Sequence, residues 1–263
     1  MGKVGVREKR LLEILKIRKA MDVPEIMNVF QISESTARRM CSNLSKQKKV
    51  IRTFGGIQMI SDRSVGTTYL SGPYSDRSVE HLEKKRRIGK YASRFVSDGD
   101  VIFISGGTTT FSFVLELCKR FKEEQVKNVL VITNSIDVAG VLGDLCRIVL
   151  TGGEYFARDH VMIGSMAEQL IQGAHFNECF VGADGIDISR NLLALDIDTA
   201  SMYRLVTSCS DRVYLLADSN KFFCRSFISY EKFNDKYVIC TDNSLPADIL
   251  TETAERGITV KVV

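Results

Sequence analysis

The stretch ISESTARRMCSNLSKQKKVIRTFGGIQMI, residues 32–60, decides the reading of the first part of the chain. Ser33 and Thr36 carry hydroxyls suited to capping a helix, and Ala37, Met40, Cys41 and Leu44 recur at three- and four-residue spacing as its buried face. Ser35, Arg38, Arg39, Ser42 and Lys46 then fall elsewhere on the cylinder. Val50 to Phe54 alternates as a strand does, Gly55-Gly56 supplies a hairpin turn, and Ile57 to Ile60 forms the return. Together these are the parts of a winged helix-turn-helix, whose second helix enters a major groove where Arg reads guanine edges. The expected DNA contacts are Ser35, Thr36, Arg38 and Arg39, with Lys46, Lys48, Lys49 and Arg52 neutralising the phosphate backbone. Simple solubility is the competing account of each lysine.

Working outward, residues 7–19 place Leu11, Leu12, Ile14 and Leu15 on one broad apolar stripe. Asp22-Val23-Pro24-Glu25 reads as a helix start, with Asp22 as cap, Pro24 in the first turn and Glu25 three residues after the cap. That helix carries Ile26, Val29 and Phe30, and Gln31-Ile32 is the short link before Ser33. Residues 1–60 hold 13 of the 36 Lys and Arg but only 5 of the 32 Asp and Glu, a net of +8 against −4 for the remainder. A basic head on an acidic body directs only the head toward a polyanion.

The chain divides accordingly into a winged helix-turn-helix at 1–60, a Ser-, Gly- and Asp-rich linker at 61–78 and an α/β domain at 79–263. After an amphipathic helix from Val79 to Val96, short apolar runs alternate with helical stretches: VIFI (101–104), NVLVI (128–132), RIVL (147–150), ECFVGA (178–183) and RVYLLA (212–217). KYVIC (236–240) and ITVKVV (258–263) close the series. Continuous Val, Ile and Leu runs separated by helices imply a mostly parallel sheet covered on both faces.

Ligands of such sheets bind beyond the carboxyl ends of the strands, where this chain places small polar residues. In SGGTTT (105–110) the glycines admit the backbone near an anion, the threonines offer hydroxyls, and the next helix presents its positive end. Gly107, Thr108 and Thr109 are expected to cradle a phosphate, with Thr133, Asn134, Gly153, Asp184 and Lys221 completing the pocket. Asp184 could instead cap the turn from Gly182 to Gly185, and Lys221 could pair with Asp218. The loop has neither the Lys of a nucleotide P-loop nor GxGxxG spacing, which argues against ATP and NAD.

No cofactor is expected. Seven scattered cysteines without any CxxC argue against a disulfide framework or zinc site, and three isolated histidines against a metal cluster. No apolar run reaches a membrane span and the N-terminus has no secretory apolar stretch, so a cytoplasmic protein is expected.

These motifs, in this order along about 250 residues, resemble the DeoR family of bacterial transcription regulators. SESTARRM and RTFGG are similar to its SxxTxRRDL helix and GG wing. Lys84 to Ala92, Val96 to Asp100, SGGTTT, Thr133-Asn134-Ser135, Gly152-Gly153, GADGI (182–186) and DSNKF (218–222) resemble its sensor motifs. The resemblance implies a sensor with the fold of ribose-5-phosphate isomerase and the CoA-transferases but without catalysis. It further implies a repressor of sugar metabolism or transport genes, relieved by a phosphorylated sugar. A homo-oligomer, dimer or tetramer, on double-stranded DNA is expected, and its symmetry would call for a partly palindromic operator.

Three departures stand out. Ser105 replaces the family's Asp, Thr199-Ala200-Ser201-Met202-Tyr203 replaces E-A-x-x-x-K, and Met40 replaces the Asp of RRDL. Lost carboxylates should weaken selection among sugar hydroxyls while the phosphate loop is kept. A DNA-bound regulator with a silent sensor is one alternative. Another is an isomerase with an accessory head, for which Asp184, Asp218 or Lys221 would supply the base.

Overall fold

The computed structural model describes residues 3–18, 20–46, 50–53, 56–59, 74–189, 191–224 and 228–263. The chain separates into two compact units, Met1–Val65 and Gly66–Val263.

In the first unit the order is α1 (Lys3–Arg18), β1 (Ala20–Asp22), α2 (Val23–Phe30), α3 (Glu34–Lys46), β2 (Val50–Thr53) and β3 (Gly56–Met59). The stripe read from the sequence is the core: Leu11, Leu15, Ile26, Ala37, Met40, Cys41 and Leu44 are all buried, with Leu12 and Ile14 packed at its margin. Val29 on α2 is instead exposed. Gln31 turns the chain at φ 48° between α2 and α3, and Ser33 Oγ accepts the Thr36 N–H at 3.4 Å as the helix cap. The ribbon forms antiparallel with Thr53 opposite Gly56. The segment 20–22, read as link and cap, is a third strand, with Met21 opposite Ile57. Its three residues carry too little periodicity to declare a strand; pairing with β3 makes it one.

The second unit opens with α4 (Tyr74–Val79) and α5 (Leu82–Ala92). Residues 74–78 were expected to be linker and are helical instead; residues 61–73 lie outside the described ones. The expected single helix from Val79 is broken at His81, which takes φ 53°. Then follow β4 (Val101–Ile104), α6 (Thr108–Lys122), β5 (Leu130–Thr133), α7 (Ile136–Leu142), β6 (Arg147–Leu150), β7 (Glu154–Phe156), β8 (Val161–Ile163), α8 (Ser165–Gln172) and β9 (Phe176–Val181). The chain continues through β10 (Gly185–Asp187), β11 (Asn191–Ala194), α9 (Ile197–Ser208), β12 (Ser210–Leu216), β13 (Ile228–Glu231), β14 (Tyr237–Thr241), α10 (Ala247–Glu255) and β15 (Thr259–Val262).

Every apolar run named above becomes a strand of one seven-stranded sheet, ordered β15-β14-β12-β9-β4-β5-β6 with each neighbour pair parallel. A hidden alternation of two builds two cores. Phe103, Cys179, Val181, Val213 and Leu215 face α8 and α9. Ile102, Ile104, Phe180, Tyr214 and Leu216 face α5, α6 and α7. The antiparallel ladders β10-β11-β13 and β7-β8 were not foreseen. They are three or four residues per strand, too short for periodicity to mark.

One polar clasp positions the turn that carries Lys221. Asp242, fully buried after β14, accepts from Lys84 Nζ of α5 at 3.0 Å, from Ser219 N at 2.7 Å and from Ser244 N at 3.0 Å. Burial opposes its charge, yet the Ser219 N–H, the Lys84 ammonium and Ser244 hold its pKa down to about 2. A depressed carboxyl stabilises fully above its unfolded pKa near 3.8, and that stabilisation disappears as pH falls through about 2. Asp242→Asn should therefore cost on the order of 2 kcal/mol at pH 7. It should also flatten the acid limb of urea-unfolding midpoints below about pH 4; an unchanged acid limb would assign the pH dependence to other carboxyls.

Candidate effector cleft and DNA-reading helix

The sheet order reverses beside β4. The chain adds β5 and β6 on one side, then returns to lay β9 on the other, so the loops after β4 and β9 depart in opposite directions and leave a crevice. Six of the eight residues expected to hold an anion line the cleft there: Gly107, Thr108, Thr109, Asn134, Asp184 and Lys221.

Gly107 precedes α6 with φ 131° and ψ 157°, a conformation strained for any side chain, and α6 begins with no side-chain cap on its first turn. Gly106 is required for a different reason. A Cβ there would lie 2.1 Å from Val161 Cγ1, so the β7-β8 hairpin rests directly on the loop. Asn134 joins the two, accepting from Gly106 N at 3.2 Å and donating to Met162 O at 3.2 Å.

The remaining two expected residues act behind the wall. Thr133 is fully buried, donating to Ile104 O at 2.7 Å and accepting from Ser135 N at 3.0 Å, so it splices the ends of β4 and β5. Gly153 takes φ 112°, and a Cβ on it would meet Ile163 O at 2.5 Å; it lets the hairpin close rather than lining the cleft.

Asp184 does not cap its own turn. Its carboxylate accepts from Leu195 N at 3.1 Å, and burial, reinforced by Asp159, raises its pKa against the pull of Lys221, the Leu195 N–H and Arg158. Nor does Lys221 pair with Asp218, whose carboxylate accepts from Asn220 N at 3.1 Å and Asn220 Nδ2 at 2.9 Å. Among the described residues no carboxylate lies within 4.0 Å of the Lys221 ammonium.

Where the resemblance would give two carboxylates and an ammonium, this chain has the hydroxyls of Ser105, Thr199 and Tyr203. Tyr203 lines the cleft, and the buried Ser105 Oγ donates to Gly106 O at 3.1 Å and accepts from Gly182 N at 3.3 Å; burial and then Asp184 raise the Tyr203 phenol's pKa. Thr199 Oγ donates to Asp196 at 2.9 Å at the start of α9. Sequence reasoning missed Arg77 and Asp159, which also line the cleft. They belong to α4 and to the turn between β7 and β8, two segments without an apolar pattern, and only the fold brings them to the strand ends.

In the first unit Ser35, Arg38 and Arg39 are exposed on α3 while Thr36 is half-buried, its hydroxyl 3.0 Å from that of Ser33. Arg38 pairs with Glu34 at 2.7 Å with both side chains 55% exposed, a surface pair that phosphate can displace at little cost. Lys46 ends α3 and Arg52 lies in β2; Lys48 and Lys49 fall outside the described residues.

A winged head with three helices and three strands among the described residues, followed in sequence by a parallel α/β unit with a cleft at its strand-order reversal, defines a DNA-binding regulator with a ligand-sensing domain. The chain belongs to the DeoR family: residues 7–63 match its DeoR-like helix-turn-helix domain and residues 80–243 its DeoR C terminal sensor domain. It is 30% identical over 252 residues to the lactose phosphotransferase system repressor of Lactococcus lactis, covering 95% of each chain. It is 26% identical over 258 residues to the glycerol-3-phosphate regulon repressor of Escherichia coli K12, covering 97% of this chain and 98% of that one. Among solved structures, ribose 5-phosphate isomerase A of Methanocaldococcus jannaschii superimposes with a TM-score of 0.42 at 20% identity, over 54% of this chain and 55% of that one. The protein is a transcriptional regulator of this family. Among the described residues no helix is long and apolar enough to cross a membrane.

Proposed function

We propose that this protein represses genes of sugar metabolism or transport and releases its operator when a phosphorylated sugar enters the cleft beside β4. The observation that carries this reading is the start of α6: an uncapped helix N-terminus at Gly107, opening on the same cleft as the Lys221 ammonium. Unpaired N–H groups at the positive end of a helix, with a cation opposite, suit a phosphate dianion. Thr108 and Thr109 add hydroxyls, and Asp184 accepts from the sugar. The Thr199 and Tyr203 hydroxyls give the cleft a neutral wall, which fits relaxed selection among sugar phosphates. The names of the two repressors above, for lactose phosphotransfer and glycerol 3-phosphate, accord with an effector of this class. The protein would act in the cytoplasm as a dimer or tetramer on a partly palindromic double-stranded site.

Calorimetry with phosphorylated trioses, pentoses and hexoses tests the effector. At least one should bind, its dephosphorylated form should bind at least about thirtyfold more weakly, and operator DNA should weaken it by the same factor by which it weakens DNA. Thr109→Val should lower its affinity without lowering thermal stability. Absence of binding at millimolar concentration would leave a regulator with a silent sensor.

On the DNA side, Arg39 reads bases while Ser35, Thr36, Arg38, Lys46, Lys48, Lys49 and Arg52 hold the backbone or flank it. Arg39→Ala should cost about 1–3 kcal/mol on the operator and little on random duplex, whereas Lys48→Ala should weaken both alike. The log–log dependence of operator affinity on salt should have a slope of roughly −5 to −10, as counterions are released from several phosphates per head. Gel-shift titrations decide both; equal losses on the two duplexes for Arg39→Ala would reassign it to phosphate contact.

A further inference from the structure

Arg77 stands on α4, the first described element after the head in sequence, yet its guanidinium lines the effector cleft with only 12% of the side chain exposed. It donates to Asp159 Oδ1 at 2.5 Å and to Arg158 O at 2.8 Å. Its backbone carbonyl accepts from Lys85 Nζ, and Tyr74 of the same helix stacks at 4.4 Å on His160, whose Nδ1 lies 3.0 Å from Asp137 Oδ2. The helix is thus held to residues 158–160, the turn of the hairpin whose Val161 presses on Gly106.

Asp159 does not depend on Arg77. Its other oxygen accepts two hydrogen bonds from Arg158, at 2.9 Å from Nε and 2.7 Å from Nη2, so the Arg77 guanidinium can leave without stranding a carboxylate. A guanidinium is also the group whose paired donors match a phosphate, which Asp159 imitates. We propose that Arg77 is a second anchor for the phosphate held at the start of α6, that it exchanges Asp159 for that phosphate, and that this exchange reports cleft occupancy to α4. The inference rests on the cleft taking a phosphorylated ligand. In the empty cleft Asp159 acts as the stand-in anion, fastening α4 to the hairpin turn. In the filled cleft the ligand takes over the fork, and the segment leading back to the head is attached to the ligand instead of to the hairpin.

A double-mutant cycle on the full chain, with inorganic phosphate as probe at constant ionic strength and affinity read from ³¹P NMR titration, tests it. Arg77→Gln should weaken phosphate binding by about tenfold or more, the worth of a charge-assisted pair. Asp159→Asn should tighten it about three- to tenfold, because a competitor for the fork and a repelling charge are both removed. Most of that gain should vanish when Arg77→Gln is also present. Arg77→Lys, which keeps the charge without the fork, should fall between wild type and Arg77→Gln. If Arg77 only fastens α4, Asp159→Asn will weaken phosphate binding in step with Arg77→Gln, and the exchange is overturned while the cleft reading stands. Phosphate affinity unchanged by Arg77→Gln overturns it in the same way. No phosphate binding to the wild-type chain, together with no binding by any sugar phosphate, overturns the cleft reading and the exchange with it.

Discussion

The second unit depends on one topological constraint: parallel strands can be joined only by crossovers, so every connection must leave from the same edge of the sheet. With β4 near the middle and the chain growing first toward β6 and later toward β15, the loops after β4 and β9 are pulled apart. The gap between them is a consequence of strand order. It would exist whatever residues lined it, which is why the polar residues of SGGTTT and GADGI meet there.

Electrostatics decides what that gap can hold. Two carboxylates, Asp159 and Asp184, and two cations, Arg77 and Lys221, line it together with a helix N-terminus that has no cap. The balance is uneven. Asp159 is occupied by arginines and Asp184 by a backbone N–H, whereas the Lys221 ammonium and the first turn of α6 have no carboxylate partner among the described residues. The shortfall is of negative charge, and hydroxyls at Ser105, Thr199 and Tyr203 add none. Lys84 contributes at a distance: by neutralising the buried Asp242 it fixes Ser219, the start of the turn that carries Lys221.

The head follows a simpler physics. Its core consumes one stripe of α3, leaving Ser35, Arg38 and Arg39 on the open side, and the Glu34 partner of Arg38 is exposed enough to be replaced by a phosphate. That division of one helix into a packed stripe and an exposed face was legible because helical periodicity fixes both at once.

Sequence determined the features that a local pattern carries, and tertiary structure decided the rest. The winged head, the seven sheet strands and the placing of a glycine-rich loop between β4 and α6 follow from patterns local in sequence: a period of 3.6 in α3, unbroken Val-Ile-Leu runs, and Gly-Gly before a helix. Strand order does not, and neither do the short ladders β7-β8 and β10-β11-β13, whose three or four residues acquire strand character only from their partners. For the candidate site, Gly107, Thr108, Thr109, Asn134, Asp184 and Lys221 were readable as polar residues at strand ends. Thr133 and Gly153 sit at strand ends too, but the fold turns one inward as a splice and uses the other for close packing. Arg77 and Asp159 lie 82 residues apart in segments with no periodic signal. Only the packing of α4 against a hairpin turn makes them neighbours, because an ion pair depends on distance in space and leaves no period in the chain.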